Sequence, residues 1–330
     1  MTSGGGWKTP ELAPDRHRKL PSAHSILADP MTEGQTDTAA QQPPARIRPR
    51  HRAEALGLGL IINALLRLPY ARRVALMGWI SKRLIAPVTG YRRRIRENLD
   101  HVFPDMPAAQ RARIIRRVPD NMGRALIEQL SGAEFAHHVR DMPLHGPGLA
   151  EMHKAREAGR PIILVTGHLG NHAAGIVALR NQGLDCGGFY MPLSNPIVNR
   201  LYEEKLQVLL NPPFPRGREG MGAMLRFLRR GGIVGILIDQ HMDHGVPLDF
   251  LGRPARTALS AAELALKFDA LLVPGYAIRQ ADGLSFVSII ETPIPHTDPE
   301  TMTQALNDSL SAQVRAHMDQ WLWTHRRWKP

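Results

Sequence analysis

The stretch Pro161-Ile-Ile-Leu-Val-Thr-Gly-His-Leu-Gly-Asn-His-Ala-Ala-Gly175 decides how this chain folds. An apolar, β-branched run leads into a tight glycine turn and then into a segment typical of a helix, which predicts strand, turn and helix in succession. His168 then lies at the carboxyl end of the strand. Because functional side chains of open α/β sheets collect at that edge, His168 is a candidate general base.

The alternation of strands and helices continues on both sides of this stretch. Helices are predicted over 147–159, from residue 171, over 196–210, up to 230 and over 257–268. Strands are predicted over 161–166, 187–190, 233–239, 271–279 and 284–291, the last two pairing around the turn Ala281-Asp-Gly283. This order is typical of a mixed, mostly parallel sheet flanked by helices.

Composition limits the class of protein. A chain of 330 residues with 43% hydrophobic content can bury a large core. Its lone cysteine, Cys186, excludes an internal disulfide and a cysteine-based metal site. The net charge of +12 favours a polyanionic partner, namely an anionic membrane surface, an acidic carrier protein or nucleic acid. No nucleic-acid partner is predicted, since the basic residues are not interleaved with aromatic ones.

The first 145 residues divide into two segments. Residues 1–52 are polar, end in the basic cluster Arg46-Ile-Arg-Pro-Arg-His-Arg52 and are predicted to be disordered. Residues 53–145 are predicted to be helical, with arginines at 111, 113, 116 and 117 that form a solvated face, and residues 146–330 form the α/β core. The first apolar run begins too late for a secretory signal.

Two apolar runs precede the core. Leu56–Leu66 and Val74–Ile80 both fall short of the ~20 residues of a spanning helix, and each is followed by cations. This pattern predicts helices lying in a membrane interface, with Tyr70 and Trp79 at headgroup depth. Two ordinary core-packing helices are the alternative.

Several collinear blocks carry a resemblance to a known family. They are Gly167-His-Leu-Gly-Asn171, the arginine-rich element 93–104, Tyr190-Met-Pro-Leu-Ser-Asn-Pro196, Ile238-Asp-Gln-His241, the element 245–252 and the terminal block 320–329. From Leu56 to Lys329 the chain resembles the lauroyl and myristoyl acyltransferases of lipid A biosynthesis, within the lysophospholipid acyltransferase superfamily. The resemblance implies a glycerolphosphate acyltransferase-like α/β fold with an N-terminal membrane-associated helical segment.

The same resemblance implies an activity without a cofactor. An acyl chain passes from acyl carrier protein or acyl-CoA to a hydroxyl or amine of a membrane lipid, such as a lipid A precursor or a lysophospholipid. The expected location is the cytoplasmic face of the inner membrane, held peripherally or by a single N-terminal anchor. Because acyl carrier proteins are acidic, the basic charge of this chain suits such a donor.

The chain departs from the family pattern at two positions. Ala173 stands where the family has the carboxylate that orients the histidine, and Met191 stands where it has an arginine. Three interpretations remain open. Asp239 replaces the missing acid, His172 acts as a relay, or the chain is a catalytically silent paralogue that binds lipid or regulates envelope lipid synthesis.

Further candidate residues lie in the matched blocks. The substrate-binding candidates there are Asn171, His172, Tyr190, Gln240 and His241. Arg216 and Arg218 flank a glycine and form either an anion cradle or part of an ordinary connecting loop. The spacings of the histidines and aspartates between 168 and 244 match no metal motif, so no metal site is predicted.

Overall fold

The apolar strands form one seven-stranded sheet in the computed structural model, which describes residues 56, 59–60, 62–193 and 195–329. The strands are β1 (Leu144–His145), β2 (Ile162–Thr166), β3 (Cys186–Tyr190), β4 (Pro213–Pro215), β5 (Ile233–Leu237), β8 (Leu271–Arg279) and β9 (Phe286–Ile290), with β6 (Val246–Phe250) and β7 (Arg253–Thr257) in a separate hairpin. Their order in the sheet is β1-β9-β8-β2-β5-β3-β4. Within this sheet, as described, only the β8–β9 pair is antiparallel, which confirms the predicted mixed, mostly parallel sheet.

Helices flank this sheet. They are α1 (Tyr70–Ile80), α2 (Ala86–Val88), α3 (Tyr91–Val102), α4 (Ala108–Leu130), α5 (Ala133–His138), α6 (Pro147–Glu157), α7 (His172–Asn181), α8 (Pro196–Leu209), α9 (Arg218–Arg229), α10 (Ser260–Phe268) and α11 (Pro299–Ala316). A π-helical turn, Ser81–Ile85, joins α1 to α2.

The centre of the sheet is fully buried. Every residue of β2 and β8 is buried, as expected for strands covered by helices on both faces. Ile95 of α3 and Ile114 of α4 share one hydrophobic cluster with Ile163 of β2 and Val234 of β5. The helical region before residue 146 therefore packs against the α/β core, and the boundary between them remains a prediction.

Some elements differ from the sequence expectations. Strand β5 ends at Leu237, which leaves Ile238 and Asp239 in the loop beyond the strand. Helix α10 begins at Ser260 because Thr257 is the last residue of strand β7. The sequence reading missed the β6–β7 hairpin and helix α11.

The chain ends in a segment that returns to the sheet. Residues 317–329, here called the C-terminal strap, follow α11, and Trp321 forms a β-bridge with Leu169. The backbone N–H of Gly170 donates to the carbonyl of Gln320 over 3.1 Å. The strap therefore lies against the loop that carries His168.

The described residues include only part of the two apolar runs that precede the core. Residues 1–52 lie outside the described residues, and so does part of the apolar run Leu56–Leu66. The second run lies in α1, where Val74 is buried while Leu76 and Trp79 are exposed. In the described part of the chain, no helix has the length and apolar character that a membrane crossing requires.

Candidate active site

His168 and Asp239 meet at the carboxyl edge of the sheet. Neighbouring strands β2 and β5 run parallel with Thr166 opposite Leu237, so the residues two places beyond each strand end come side by side. The Nδ1 atom of His168 lies 2.8 Å from Oδ1 of Asp239. The backbone N–H of His168 donates to Oδ2 of the same carboxylate over 2.6 Å. The aspartate thus fixes both the ring and the backbone of the histidine.

The C-terminal strap completes the surroundings of Asp239. The indole N–H of Trp321 donates to Oδ2 of Asp239 over 2.9 Å, and both side chains are buried. Gly167 lies so close that an added Cβ would stand 3.0 Å from Oδ2. The carboxylate is therefore buried, and hydrogen bonds set its position and favour its charged form.

This arrangement tunes both ionisable groups. Burial favours the neutral form of Asp239, yet the charge of His168 and the hydrogen bonds from His168 and Trp321 outweigh it and lower the pKa of Asp239 to about 2. Burial also favours neutral His168, but the charge and hydrogen bond of Asp239 raise the pKa of His168 above its ordinary value. A hydrogen bond from Nδ1–H to the carboxylate leaves Nε2 as the proton acceptor.

His168 is accessible as well as oriented. Its side chain keeps 29% exposure, whereas that of Asp239 keeps 1%. A histidine held by a buried carboxylate and open on its other nitrogen has the arrangement of a general base in acyl transfer.

His172 begins helix α7 and lies beside a narrow internal slot. Its ring centroid lies 6.1 Å from that of His168, edge to face, and no hydrogen bond joins the two rings in the described residues. Burial, followed by the charge of His168, lowers the pKa of His172 to about 4, so its ring is neutral at neutral pH. The relay interpretation therefore lacks a direct hydrogen bond.

The slot runs between α7 and the sheet and encloses about 60 Å³. Its floor consists of small or apolar residues of four neighbouring strands, Gly275, Leu164, Gly235 and Gly188. Ile176 and Leu179 of α7 form part of its wall. The slot therefore extends from His172 over the apolar residues at the centre of the sheet.

Asn171 caps helix α7, and its side chain is in turn hydrogen-bonded to Glu128 of α4. Its side-chain oxygen accepts from the N–H of Ala173 over 3.2 Å, and its Nδ2 donates to Oε2 of Glu128 over 2.8 Å. Glu128 also accepts two hydrogen bonds from Arg279, of 2.5 and 2.7 Å. This buried pair anchors the turn three residues beyond His168. Gly170 supports the same turn, since a Cβ there would stand 2.0 Å from the carbonyl of Ala277.

We expect Glu128→Gln to destabilise the protein strongly. The substitution removes the only carboxylate that pairs with Arg279 in the described residues, and both side chains are at most 3% exposed. Breaking a buried pair in this way costs about 3–5 kcal/mol of unfolding free energy. Adding Arg279→Met should recover much of the loss.

Urea denaturation measures these values. The control is Glu97→Gln, which removes an exposed i,i+4 pair with Arg93 and should cost less than about 0.5 kcal/mol. A Glu128→Gln protein as stable as the Glu97→Gln protein would contradict the assigned role of the buried pair.

The two departures from the family pattern lie in unlike environments. Ala173 is buried in an apolar cluster that includes Phe135, Val139 and Phe286. Met191 is 55% exposed beyond strand β3. The position of the missing acid is therefore filled by tight apolar packing, while that of the missing cation is open.

In the part of the chain that the structure describes, no hydrogen bond joins the side chains of the other candidate residues to His168 or Asp239. The Tyr190 hydroxyl donates to Oε1 of Glu203 over 2.5 Å. Arg216, Arg218 and Gln240 are exposed. The ring of His241 lies 3.1 Å from Asp243. Their substrate-binding roles remain predictions.

Three residues that support the pair were missed by sequence reasoning. Trp321 lies in a block that the family resemblance had already marked, which was the one usable signal. Glu128 and Arg279 pair across 151 positions, and no local pattern in the sequence announces such a contact. In the described part of the chain, no three metal-ligating side chains are grouped to hold an ion.

Comparison with known proteins shows which family the chain belongs to. Residues 44–330 match the model of the bacterial lipid A biosynthesis acyltransferases. This chain belongs to that family. It is 24% identical over 298 residues to the lipid A biosynthesis lauroyltransferase of Escherichia coli, covering 86% of this chain and 94% of the relative.

Two other relatives of this acyltransferase have a similar degree of identity. A lipid A biosynthesis acyltransferase of Haemophilus influenzae is 24% identical over 275 residues, covering 81% of this chain and 85% of the relative. A phosphatidylinositol mannoside acyltransferase of Mycobacterium tuberculosis is 24% identical over 241 residues, covering 71% and 76%. The relatives include lipid A biosynthesis acyltransferases and a phosphatidylinositol mannoside acyltransferase, so the family assignment identifies a lipid acyltransferase and leaves the acceptor open.

Proposed function

We propose that this chain moves an acyl chain from acyl carrier protein or acyl-CoA to a hydroxyl or amine of a membrane lipid, with His168 as the general base. The observation that supports this chemistry is the contact between His168 Nδ1 and the buried carboxylate of Asp239. Asp239 supplies the acid that the family places at position 173. The substitute-partner interpretation is therefore the one that we adopt.

The proposed reaction has two proton transfers. Nε2 of His168 takes the proton of the acceptor hydroxyl while its oxygen attacks the thioester carbonyl. The carbon–sulfur bond then breaks, and the imidazolium returns the proton to the departing thiolate. The products are the lipid ester and the free thiol of the donor. Asp239 stabilises the imidazolium formed between these two steps.

The net charge of the chain and its apolar slot support the choice of donor and acceptor. The net charge of +12 favours an acidic carrier protein as donor and an anionic membrane surface as the place of reaction. The apolar slot that His172 lines offers a buried site for part of the acyl chain. We place the reaction at the cytoplasmic face of the inner membrane, with a lipid A precursor or a lysophospholipid as acceptor.

We expect the kcat/KM of acyl transfer to fall as the pH decreases through the pKa of His168. Only the neutral imidazole accepts a proton, and Asp239 holds this pKa above the ordinary value of 6.5. The acid limb of the profile should therefore lie above pH 6.5. Rates of label transfer from acyl carrier protein to lipid, measured across pH, give this profile. A flat profile from pH 5 to 8 would contradict a histidine base.

A second candidate function rests on a separate observation. With Ala173 and Met191, the site lacks one anion and one cation of the family pattern. A silent paralogue that binds lipid or regulates envelope lipid synthesis would show no transfer at any pH.

A further inference from the structure

A second concave site lies away from His168, between the π turn, α3 and α4. It is a groove of about 730 Å³. Cations line it from all three elements, among them Lys82, Arg83, Arg92, Arg96, Arg113 and Arg116. We call it the arginine groove. The arginines of α4, which the sequence predicts to be a solvated face, therefore converge with cations of two other elements.

Nearby carboxylates neutralise only some of the cations that line the groove. Arg111 pairs with Asp100 over 2.9 Å, Arg117 with Asp319 over 2.6 Å, and Lys82 lies 3.7 Å from Asp120.

Four exposed arginines of the groove have no such partner. Within the described residues, Arg83, Arg96, Arg113 and Arg116 form no ion pair, and all four are exposed. Guanidinium groups gathered in a concave site without counter-charges favour an anionic ligand, and their fork geometry fits phosphate.

An exposed apolar stripe adjoins the groove on the same helical segment. Leu76, Trp79, Leu84 and Val88 are 37%, 48%, 56% and 83% exposed. The π turn begins after Trp79 and includes Leu84, and the N–H of Ala86 at its end donates to the carbonyl of Ser81, five residues earlier. Because a π turn holds one residue more than an α turn, the five-residue step from Trp79 to Leu84 remains about one turn.

Cations of the groove and residues of the apolar stripe therefore alternate along one helical segment. Lys82 and Arg83 lie between Trp79 and Leu84 in the chain. An acidic protein or a nucleic acid bound in the groove would leave the stripe in water. A bilayer satisfies both features, since apolar side chains enter the acyl region while cations reach the phosphates.

We infer that the arginine groove binds the phosphate groups of anionic lipids and, together with the apolar stripe, seats the protein on a bilayer surface. The inference rests on the proposed function, in which the acceptor is a lipid of the membrane. It does not depend on turnover, since lipid binding is measured without a donor.

The test is flotation of the full chain with phosphatidylcholine vesicles, with and without phosphatidylglycerol. We expect the triple variant Arg96→Gln, Arg113→Gln, Arg116→Gln to bind the anionic vesicles about 10²-fold more weakly. The control removes three exposed arginines elsewhere, Arg200→Gln, Arg226→Gln and Arg230→Gln, and should change binding less than about threefold. His168→Ala should bind like the unchanged chain, which separates this inference from the catalytic proposal.

Two further variants test the apolar part. Trp79→Ser and Leu84→Ser should weaken binding to both kinds of vesicle, because insertion does not require lipid charge. If the two triple variants lose equal affinity for the anionic vesicles, net charge alone explains the binding, and the inference of a phosphate site in the groove is wrong. Unchanged vesicle binding by the groove variant would also overturn it, and a raised KM for the acyl carrier donor would then assign the groove to the carrier protein.

Discussion

Replacing His168 by alanine is expected to lower the turnover of acyl transfer by about 10²–10⁴-fold while the fold is kept. The side chain is 29% exposed at the edge of the sheet, so its loss removes little packing. The substitution removes Nε2, the atom that takes the proton from the hydroxyl of the lipid acceptor. The effect should fall on kcat rather than on KM, because a general base acts in the transition state.

The measurement is the initial rate of label transfer from acyl carrier protein to a membrane lipid extract. His145→Ala is the matched control, since this exposed histidine lies on the edge strand β1 and should leave the rate unchanged. A folded His168→Ala protein with unreduced turnover would refute the proposed base.

Replacing Asp239 by asparagine is expected to cost nearly as much turnover, again about 10²–10⁴-fold. Asparagine keeps the size of the side chain but removes the charge that stabilises the imidazolium. The pKa of His168 should then fall, because Asp239 raises it. The acid limb of the pH profile should therefore move to lower pH while the maximum rate drops.

A nearby aspartate provides the control for this substitution. Asp243 also lies beside a histidine, at 3.1 Å from His241, but its side chain is 83% exposed. Asp243→Asn should leave both the rate and the pH profile unchanged. A shifted acid limb without a loss of rate in Asp239→Asn would mean that the carboxylate tunes His168 but does not support the reaction.

Much of the architecture follows from local patterns. The β-branched run before His168 and the alternating elements after it predicted the mixed sheet, because each strand carries its own apolar signal. The partnership of His168 with Asp239 follows from the same reasoning, since both residues come just after strands that end on one edge. The parallel register of β2 and β5 makes this edge contact specific.

Contacts between residues far apart in the sequence could not be predicted from local patterns. Trp321 reaches Asp239 only because the strap returns across the sheet edge, and Glu128 of α4 meets Arg279 of β8 only in the folded chain. The arginines of α4 resemble a solvated face on one helix. Their convergence with Arg83 and Arg96 depends on how three helical elements cross, which no single-element pattern contains.

The central claim is that His168 and Asp239 act as one unit and replace the missing acid at position 173. The measurement that tests it most directly is the initial rate of acyl transfer for four chains, namely unchanged, His168→Ala, Asp239→Asn and the double variant. The account predicts transfer by the unchanged chain and a double variant within about threefold of the slower single variant. A silent unchanged chain, with transfer appearing only after Ala173→Glu combined with Met191→Arg, would contradict it.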